Sequence, residues 1–375
     1  MPAETVLFLT YWYPTSNNQS FAIFVKRHAH AIALQNKVIV LSLHFSKGAG
    51  IFSKNVNVSR DEANIETHQI DVKSRFNKIL FLLLPLHYLL LKSYIKSQLI
   101  PANNISIIHS NIIFPCAIVA RRLAKNLKCR FVITEHWTKL DKFFRVSLYS
   151  NSGKRTYDKA DAITVVSEQL ADTVKKYSSS HKIHIVPNII DTSEFYFDET
   201  ILKNKQLTFV AAAHWGQFKN PFYFLEALRQ LKNENKLNDF KMVMIGDGEQ
   251  IPKIKDSAYN FEIEYKGQLN AKQLCREFNT SHIFLHGSDF ETFSVVIAEA
   301  LMCGLPSVVS PVGIALEVIN HTNGEIAENN ITSWKEKIML CCNKKYDNKL
   351  ISQQLKGRYD SKAVGELFTS IYKNL

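Results

Sequence analysis

Two glutamates, Glu291 and Glu299, stand eight positions apart in a string running from His286 to Gly304-Leu305-Pro306. Eight residues is just over two turns of α-helix, so a helix starting near Glu291 turns both carboxylates the same way. The apolar pair Phe284-Leu285 before it reads as the end of a buried strand. The predicted unit is therefore strand, turn and helix, with backbone N–H groups at Thr292, Phe293 and Ser294 open to a phosphate. Upstream, His214 to Lys219-Asn220-Pro221 follows one strand and precedes a helix. A cation there faces the mouth of a sheet, where open α/β domains bind ligands. Lone acidic pairs at this spacing also occur on solvated helices, and His214 also reads as a packing residue at a strand end.

These residues need elements to hold them. Strand-like and helix-like segments alternate along the chain, the sign of parallel sheets with helical cover. Strands are predicted near 6–10, 37–43, 105–109, 130–134, 162–166 and 183–186, then near 207–213, 241–245, 262–266, 282–285 and 307–309. The helices between them include 21–34, 79–98, 221–232 and 293–303. A closing helix over 362–372 carries an apolar stripe at Val364, Leu367, Phe368 and Ile371.

At 375 residues the chain is long enough for two cores. Residues 1–185 hold 25 Lys and Arg against 11 Asp and Glu, a net of +14, and the remainder is near neutral. A basic half suits an anionic membrane or nucleic acid. No nucleic-acid motif accompanies it, so the membrane surface or an anionic acceptor is the favoured partner. The longest apolar run, Ile79 to Leu91, is too short to span a bilayer. Its density of apolar residues reads first as a buried core helix, broken or kinked at Pro85. Lys73, Arg75 and Lys78 before it also suit a helix lying on lipid. The N-terminus shows no signal-peptide pattern. Six cysteines without metal-type spacing read as reduced cytosolic thiols. There is no Asp-x-Asp motif and no metal cluster.

The Glu291–Glu299 string, with Gly304-Leu305-Pro306 and the later Ser310-Pro311-Val312-Gly313 and Glu317, resembles the E-x7-E signature of retaining family 4 glycosyltransferases. The resemblance implies an α/β GT-B fold: two facing Rossmann-like domains with parallel sheets and an interdomain cleft. The acceptor-side domain is placed at 1–197 and the nucleotide-sugar domain at 198–356. The closing segment, 357–375, is placed back on the first domain. The family usually carries Gly-Arg-x-x-x-x-Lys-Gly where this chain has His214 and Lys219. Lys219 matches the lysine, His214 takes the arginine position, and Asn220 takes the second glycine position.

By the same resemblance Glu299 holds the ribose hydroxyls and Glu291 the donor-sugar hydroxyls. Lys219 and His214 hold the diphosphate, helped by N–H groups at Phe293 and Ser294. The loop Gly267-Gln268-Leu269 cups the base, and Gly246-Asp247-Gly248 is a tight turn bordering it. His136, after Glu135 at a strand end, faces the donor sugar. Glu135-His136 also reads as a strand-end hydrogen-bonding pair. In the first strand-to-helix loop the family commonly has glycine, and this chain has Ser20 and Ala22. Val186-Pro187-Asn188-Ile189-Ile190-Asp191 matches a hinge stretch, with Ile189 replacing glycine.

The implied activity is metal-independent transfer of a sugar, with retention, from a UDP- or GDP-linked donor to a glycan or lipid-linked acceptor in surface polysaccharide biosynthesis. No separate cofactor is expected. The expected setting is the cytoplasm, with peripheral attachment to the inner face of the plasma membrane. A non-catalytic nucleotide-sugar-binding module and a GT-B epimerase remain as alternatives.

Overall fold

A computed structural model describes residues 4–15, 18, 21–179 and 182–375; Ser20 lies outside the described residues. The chain forms two compact units, Met1–Ile189 with Ser361–Leu375, and Ile190–Asp360.

In the first unit the strands are β1 (Thr5–Thr10), β2 (Lys37–Lys47), β3 (Ser53–Arg60), β4 (Glu66–Ser74), β5 (Ile107–Asn111), β6 (Arg130–Glu135), β7 (Ala162–Val165) and β8 (Ile183–Ile185). They lie in the order β3-β4-β2-β1-β5-β6-β7-β8. Neighbours are parallel except β3, which pairs antiparallel with β4. The β3–β4 hairpin is absent from the sequence-based prediction. Nearly every residue of β3 is exposed, so there is no apolar pattern to read, and its ladder to β4 places it. Its charges at Lys54 and Arg60 blunt the open edge of the sheet.

The run Ile79–Leu91 is not one buried helix. It divides at Leu83 into helices Asn77–Leu82 and Leu84–Tyr94, with Pro85 in the first turn of the second. Proline's missing N–H is tolerated there and not in a helix interior. Helix Asn77–Leu82 buries none of its residues, leaving Phe76, Ile79, Leu82 and Leu83 exposed. Among the described residues no helix is long and apolar enough to cross a membrane.

The closing helix, Ser361–Lys373, packs on helix Ile23–Ala33 of the same unit. Gly365 permits the contact: a Cβ there would lie 2.4 Å from the Ala31 carbonyl oxygen. Val364, Phe368 and Tyr372 are buried, whereas Leu367 of the predicted stripe faces outward. Tyr372 Oη lies 2.5 Å from His109 Nδ1, and His109 Nε2 lies 2.5 Å from Thr134 Oγ1.

The second unit contains β9 (Leu207–Ala212), β10 (Phe240–Ile245), β11 (Glu262–Gly267), β12 (Ile283–His286), β13 (Ser307–Val309) and β14 (Gly324–Ile326). All are parallel, in the order β11-β10-β9-β12-β13-β14. This is the doubly wound 3-2-1-4-5-6 order, which reverses between β9 and β12. Phe209, Phe224 and Trp334 fill the core on one face.

The units divide at Ile189/Ile190, ahead of the 197/198 boundary placed from sequence. Side chains explain the shift. Phe195 is buried, and Asn279 donates to the Tyr196 carbonyl and accepts from the Asp198 N–H, both at 2.9 Å. That ties 195–198 to the helix Ala271–Thr280 of the second unit. Ile190 N–H donates to the Tyr359 carbonyl at 2.9 Å, so the returning segment starts at Ser361 and not at 357.

Candidate functional site

The strand-order reversal in the second unit puts the loops after β9 and β12 side by side. They are zipped by main-chain bonds from Asn220 N–H to the Gly287 carbonyl and from Asp289 N–H to the Phe218 carbonyl, both 2.9 Å. Gly287 is required by this approach, since a Cβ would sit 2.3 Å from the Asn220 carbonyl oxygen. Lys219 is thereby held opposite Ser288.

The Lys219 ammonium is ion-paired with Glu291, and the pair is largely shielded from solvent. Its Nζ lies 3.5 Å from His286 Nε2. Glu291 Oε1 is also 3.3 Å from the Ser288 hydroxyl. His286, the last residue of β12, is buried, with the Ser294 hydroxyl 3.0 Å from its Nε2. Burial, and then the Lys219 charge, lower the His286 pKa to about 4, so the ring is neutral. The same Nε2 also lies 3.4 Å from Glu291 Oε1, so lysine, imidazole and carboxylate converge on one point. Burial pushes the Glu291 carboxyl upward, but the Lys219 charge and His286 override it and hold the group below the usual carboxylate range. Glu291 is thus an anion in a dry setting, kept charged by a specific cation.

The helix predicted from near Glu291 starts later, at Val295, after Ser294 in a left-handed conformation (φ 69°, ψ 72°). Glu291 therefore lies in the preceding loop, and only Glu299 is helical. The two carboxylates do not share a helical face. The N–H groups of the first turn belong to Val295 onward, not to Thr292–Ser294. Phe293 is a core residue, its carbonyl accepting from Ile314 N–H at 2.8 Å. Ser294 serves His286. Glu299 is half-buried in the helix Val295–Met302.

A second group gathers around Asp247 in the turn after β10. His214 Nδ1 lies 3.4 Å from one Asp247 oxygen, and Gln268 donates to the other at 2.7 Å. The His214 side chain is 78% exposed. Trp215 beneath it is buried, donating from Nε1 to the Ile245 carbonyl at 3.0 Å and from its backbone to the Asp247 carbonyl at 2.7 Å. Gln250 donates to the carbonyls of Gly216 (2.5 Å) and Lys219 (2.6 Å), bracing the loop between the two groups. Gly267 accepts from Gly246 N–H at 2.6 Å, joining the turn after β10 to the one after β11, and Leu269 is half-buried beyond it.

In the first unit His136 follows β6 and is buried, with its ring 4.9 Å from Phe24 and 5.2 Å from His28. Both His136 ring nitrogens are without a hydrogen-bond partner, as are both side-chain polar atoms of buried Asn111. Asn111 ends β5 opposite Thr134 of β6, one pleat before His136. Burial, then His28 and His109, drive the His136 pKa well down. Glu135 is a structural anchor: it accepts the N–H groups of Ile113, His136 and Trp137 and the Tyr157 hydroxyl, each at 2.9 Å. Ala22 takes the left-handed conformation (φ 51°, ψ 35°) that a glycine would adopt, at a cost of about 1 kcal/mol.

Sequence reasoning did not single out His286 or Asp247 as site residues. Each had a legible signal: His286 is a polar residue at the carboxyl end of a parallel strand, and Asp247 lies in the turn just beyond one. Among the described residues no cluster of three His, Cys, Asp or Glu could hold a metal ion.

Residues 23–194 match the family described as Glycosyltransferase Family 4, and residues 192–356 match Glycosyl transferases group 1. The chain is 26% identical to N-acetyl-alpha-D-glucosaminyl L-malate synthase of Bacillus anthracis over 58% of its length and 60% of that protein's. It is 28% identical to UDP-Gal:alpha-D-GlcNAc-diphosphoundecaprenol alpha-1,3-galactosyltransferase of Escherichia coli over 47% of its length and 51% of that protein's. These matches thus span half to three-fifths of the two relatives. In fold, it superposes on sucrose-phosphate synthase from Thermosynechococcus elongatus with a TM-score of 0.75 at 15% identity, covering 99% of this chain and 98% of that one. It superposes on Anabaena HepE, solved with UDP and glucose, with a TM-score of 0.70 at 14% identity, covering 99% and 100%. Two doubly wound sheets, a switch-point cluster in the second, and family matches running from residue 23 to 356 together show that the chain belongs to the GT-B glycosyltransferases of the group 1 and family 4 type.

Proposed function

We propose that the protein transfers a sugar, with retention and without a metal ion, from a UDP- or GDP-linked donor to a glycan or lipid-linked acceptor in surface polysaccharide biosynthesis. The observation that carries this reading is the Lys219–Glu291–His286 cluster at the switch point of the second unit. In it a carboxylate accepts from donor-sugar hydroxyls while the lysine meets the diphosphate. Entry of a diphosphate beside Lys219 gives the ammonium a second anion. Preorganised charge of this kind stabilises a leaving group where negative charge develops. Val295 and its neighbours supply main-chain donors, and Glu299 one turn on takes the ribose. His214 is a weaker phosphate ligand in this scheme, because Asp247 competes for it.

His136 and Asn111 supply unsatisfied polar atoms at the carboxyl edge of the first sheet, suited to sugar hydroxyls. Retention rests on the resemblance of the Glu291–Glu299 string to the retaining signature. A lipid-linked acceptor is supported by the diphosphoundecaprenol named for the E. coli relative. Exposed Phe76, Ile79, Leu82 and Leu83 beside exposed Lys73, Arg75 and Lys78 support docking on an anionic membrane from the cytoplasmic side. The test is a screen of UDP- and GDP-sugars by thermal shift, followed by product analysis with a lipid-linked acceptor. Donor turnover with no glycosylated product, or an epimerised sugar in its place, overturns the reading.

A further inference from the structure

Two thiols meet behind the proposed nucleotide site. Cys275 lies in the helix Ala271–Thr280, and Cys303 follows the last residue of the helix Val295–Met302 that carries Glu299. Their sulfurs are 3.6 Å apart, and both residues are buried. A disulfide needs about 2.05 Å between sulfurs, so closure requires a shift of roughly 1.5 Å. Cys275 also lines a cavity of about 410 Å³ walled by Glu194, Tyr196, Lys272 and Arg276. That cavity, which Asp198 also lines, is a route by which a small oxidant reaches one sulfur of the pair.

We infer that Cys275 and Cys303 form a reversible disulfide on exposure to a peroxide, and that closing it displaces the helix bearing Glu299. The second half of this inference rests on the nucleotide-binding reading above. In the first step the Cys275 sulfur attacks one peroxide oxygen, forming a sulfenic acid and releasing water. In the second step the Cys303 sulfur attacks Cys275, displacing the sulfenic oxygen as a second water and leaving the S–S bond. Two electrons pass from the thiols to the peroxide, and a dithiol reductant reverses the change.

The surroundings select this pair. Hydrogen bonds donated to the Cys275 sulfur by the Cys303 S–H and the Asn279 amide bring its pKa down to about 7 against the pull of burial. Burial raises the thiol pKa of Cys116, Cys129, Cys341 and Cys342, which makes them poor nucleophiles at neutral pH; it raises that of Cys303 too, so Cys275 is the sulfur oxidised first and Cys303 reacts because it is held 3.6 Å away. The mechanical link is short. Cys303 N–H donates to the Glu299 carbonyl at 3.2 Å, so drawing Cys303 toward Cys275 pulls on the last turn of that helix.

The experiment treats the full chain with hydrogen peroxide and follows mass, peptide mapping, hydrogen exchange and nucleotide affinity. The expected product has lost two hydrogens, maps as a Cys275–Cys303 cross-link and reverts with dithiothreitol. Exchange in Val295–Met302 rises, and affinity for UDP or GDP by calorimetry falls about tenfold, or 1.4 kcal/mol. Cys275→Ser, and independently Cys303→Ser, abolish these changes while keeping the reduced protein's affinity. Oxidation at other cysteines, or none, overturns the inference, as does a cross-link that leaves both exchange and affinity unchanged. Reduced protein that binds neither UDP nor GDP overturns the functional reading instead. The mapped cross-link and the exchange of residues 295–302 then decide this inference by themselves.

Discussion

Lys219 and Glu291 are 72 positions apart in the chain, yet they form an ion pair, with Lys219 Nζ also 3.5 Å from the neutral ring of His286. The pair is a consequence of strand order. β9 and β12 are adjacent because the sheet reverses there, and their loops zip through Asn220 and Gly287. A shielded pair of this kind is costly to break and cheap to remove whole. Lys219→Ala should therefore cost about 3–5 kcal/mol of stability and lower turnover by orders of magnitude. The double variant Lys219→Ala/Glu291→Ala should regain stability without regaining activity. Denaturant melts beside single-turnover rates make the comparison. Equal stability of the single and double variants refutes the coupling.

Glu299 and Glu291 should separate by phenotype. Glu299→Ala removes a charged acceptor from the proposed ribose site and should weaken nucleotide-sugar binding by about 1.5–3 kcal/mol. Glu291→Ala should lower kcat more than it lowers affinity, because its proposed contacts are to the sugar. Calorimetry and steady-state kinetics on the two variants decide the matter, and unchanged turnover in both sinks the site.

Activity should persist in EDTA. The positive charge needed by a departing diphosphate is assigned to Lys219 and the helix at Val295, and the chain has no Asp-x-Asp motif. Strict recovery of activity by a divalent cation after chelation would contradict that assignment.

The first unit should be acid-labile. His28 and His109 are buried, and burial lowers their pKa values to about 4 and about 3. Their folded values lie below the unfolded value near 6.5, so they stabilise fully above pH 6.5. That contribution is lost as pH falls from 6.5 through about 4. Unfolding midpoints followed between pH 7 and pH 4 should drop steadily, and His109→Gln should flatten the slope. A flat profile across that window rules the account out.

Vesicle binding tests the basic half. The protein should sediment with anionic vesicles at low salt and be released at high salt. Charge reversal at Lys73, Arg75 and Lys78 should abolish pelleting, at about 1 kcal/mol per cation. Indifference to anionic vesicles at low salt removes the membrane from the reading and leaves the transferase proposal standing.

Local patterns made much of this molecule legible. Apolar runs of strand length alternating with helical periodicity named most strands of both sheets; Lys219, Glu291 and His136 stand after strands, and their roles came from the resemblance to the family 4 signature. That works because parallel sheets bury both faces of each strand and bind ligands at one edge. β3 was not legible, because an exposed polar edge strand is specified by its partner's backbone and not by its own side chains.

What the tertiary structure alone decided is how the site residues meet. The amino-acid sequence placed Glu291 on a helix with Glu299. The fold begins that helix at Val295 and turns Glu291 into the loop, where Lys219 reaches it. Sequence likewise offered His214 as a phosphate cation, and the fold puts Asp247 3.4 Å from it. Asp247 and His286 stand just after or at the ends of strands, where a ligand site is expected, but their long-range partners His214 and Lys219 are not readable from that position. Each acts through a residue dozens of positions away, and only strand order brings such residues together.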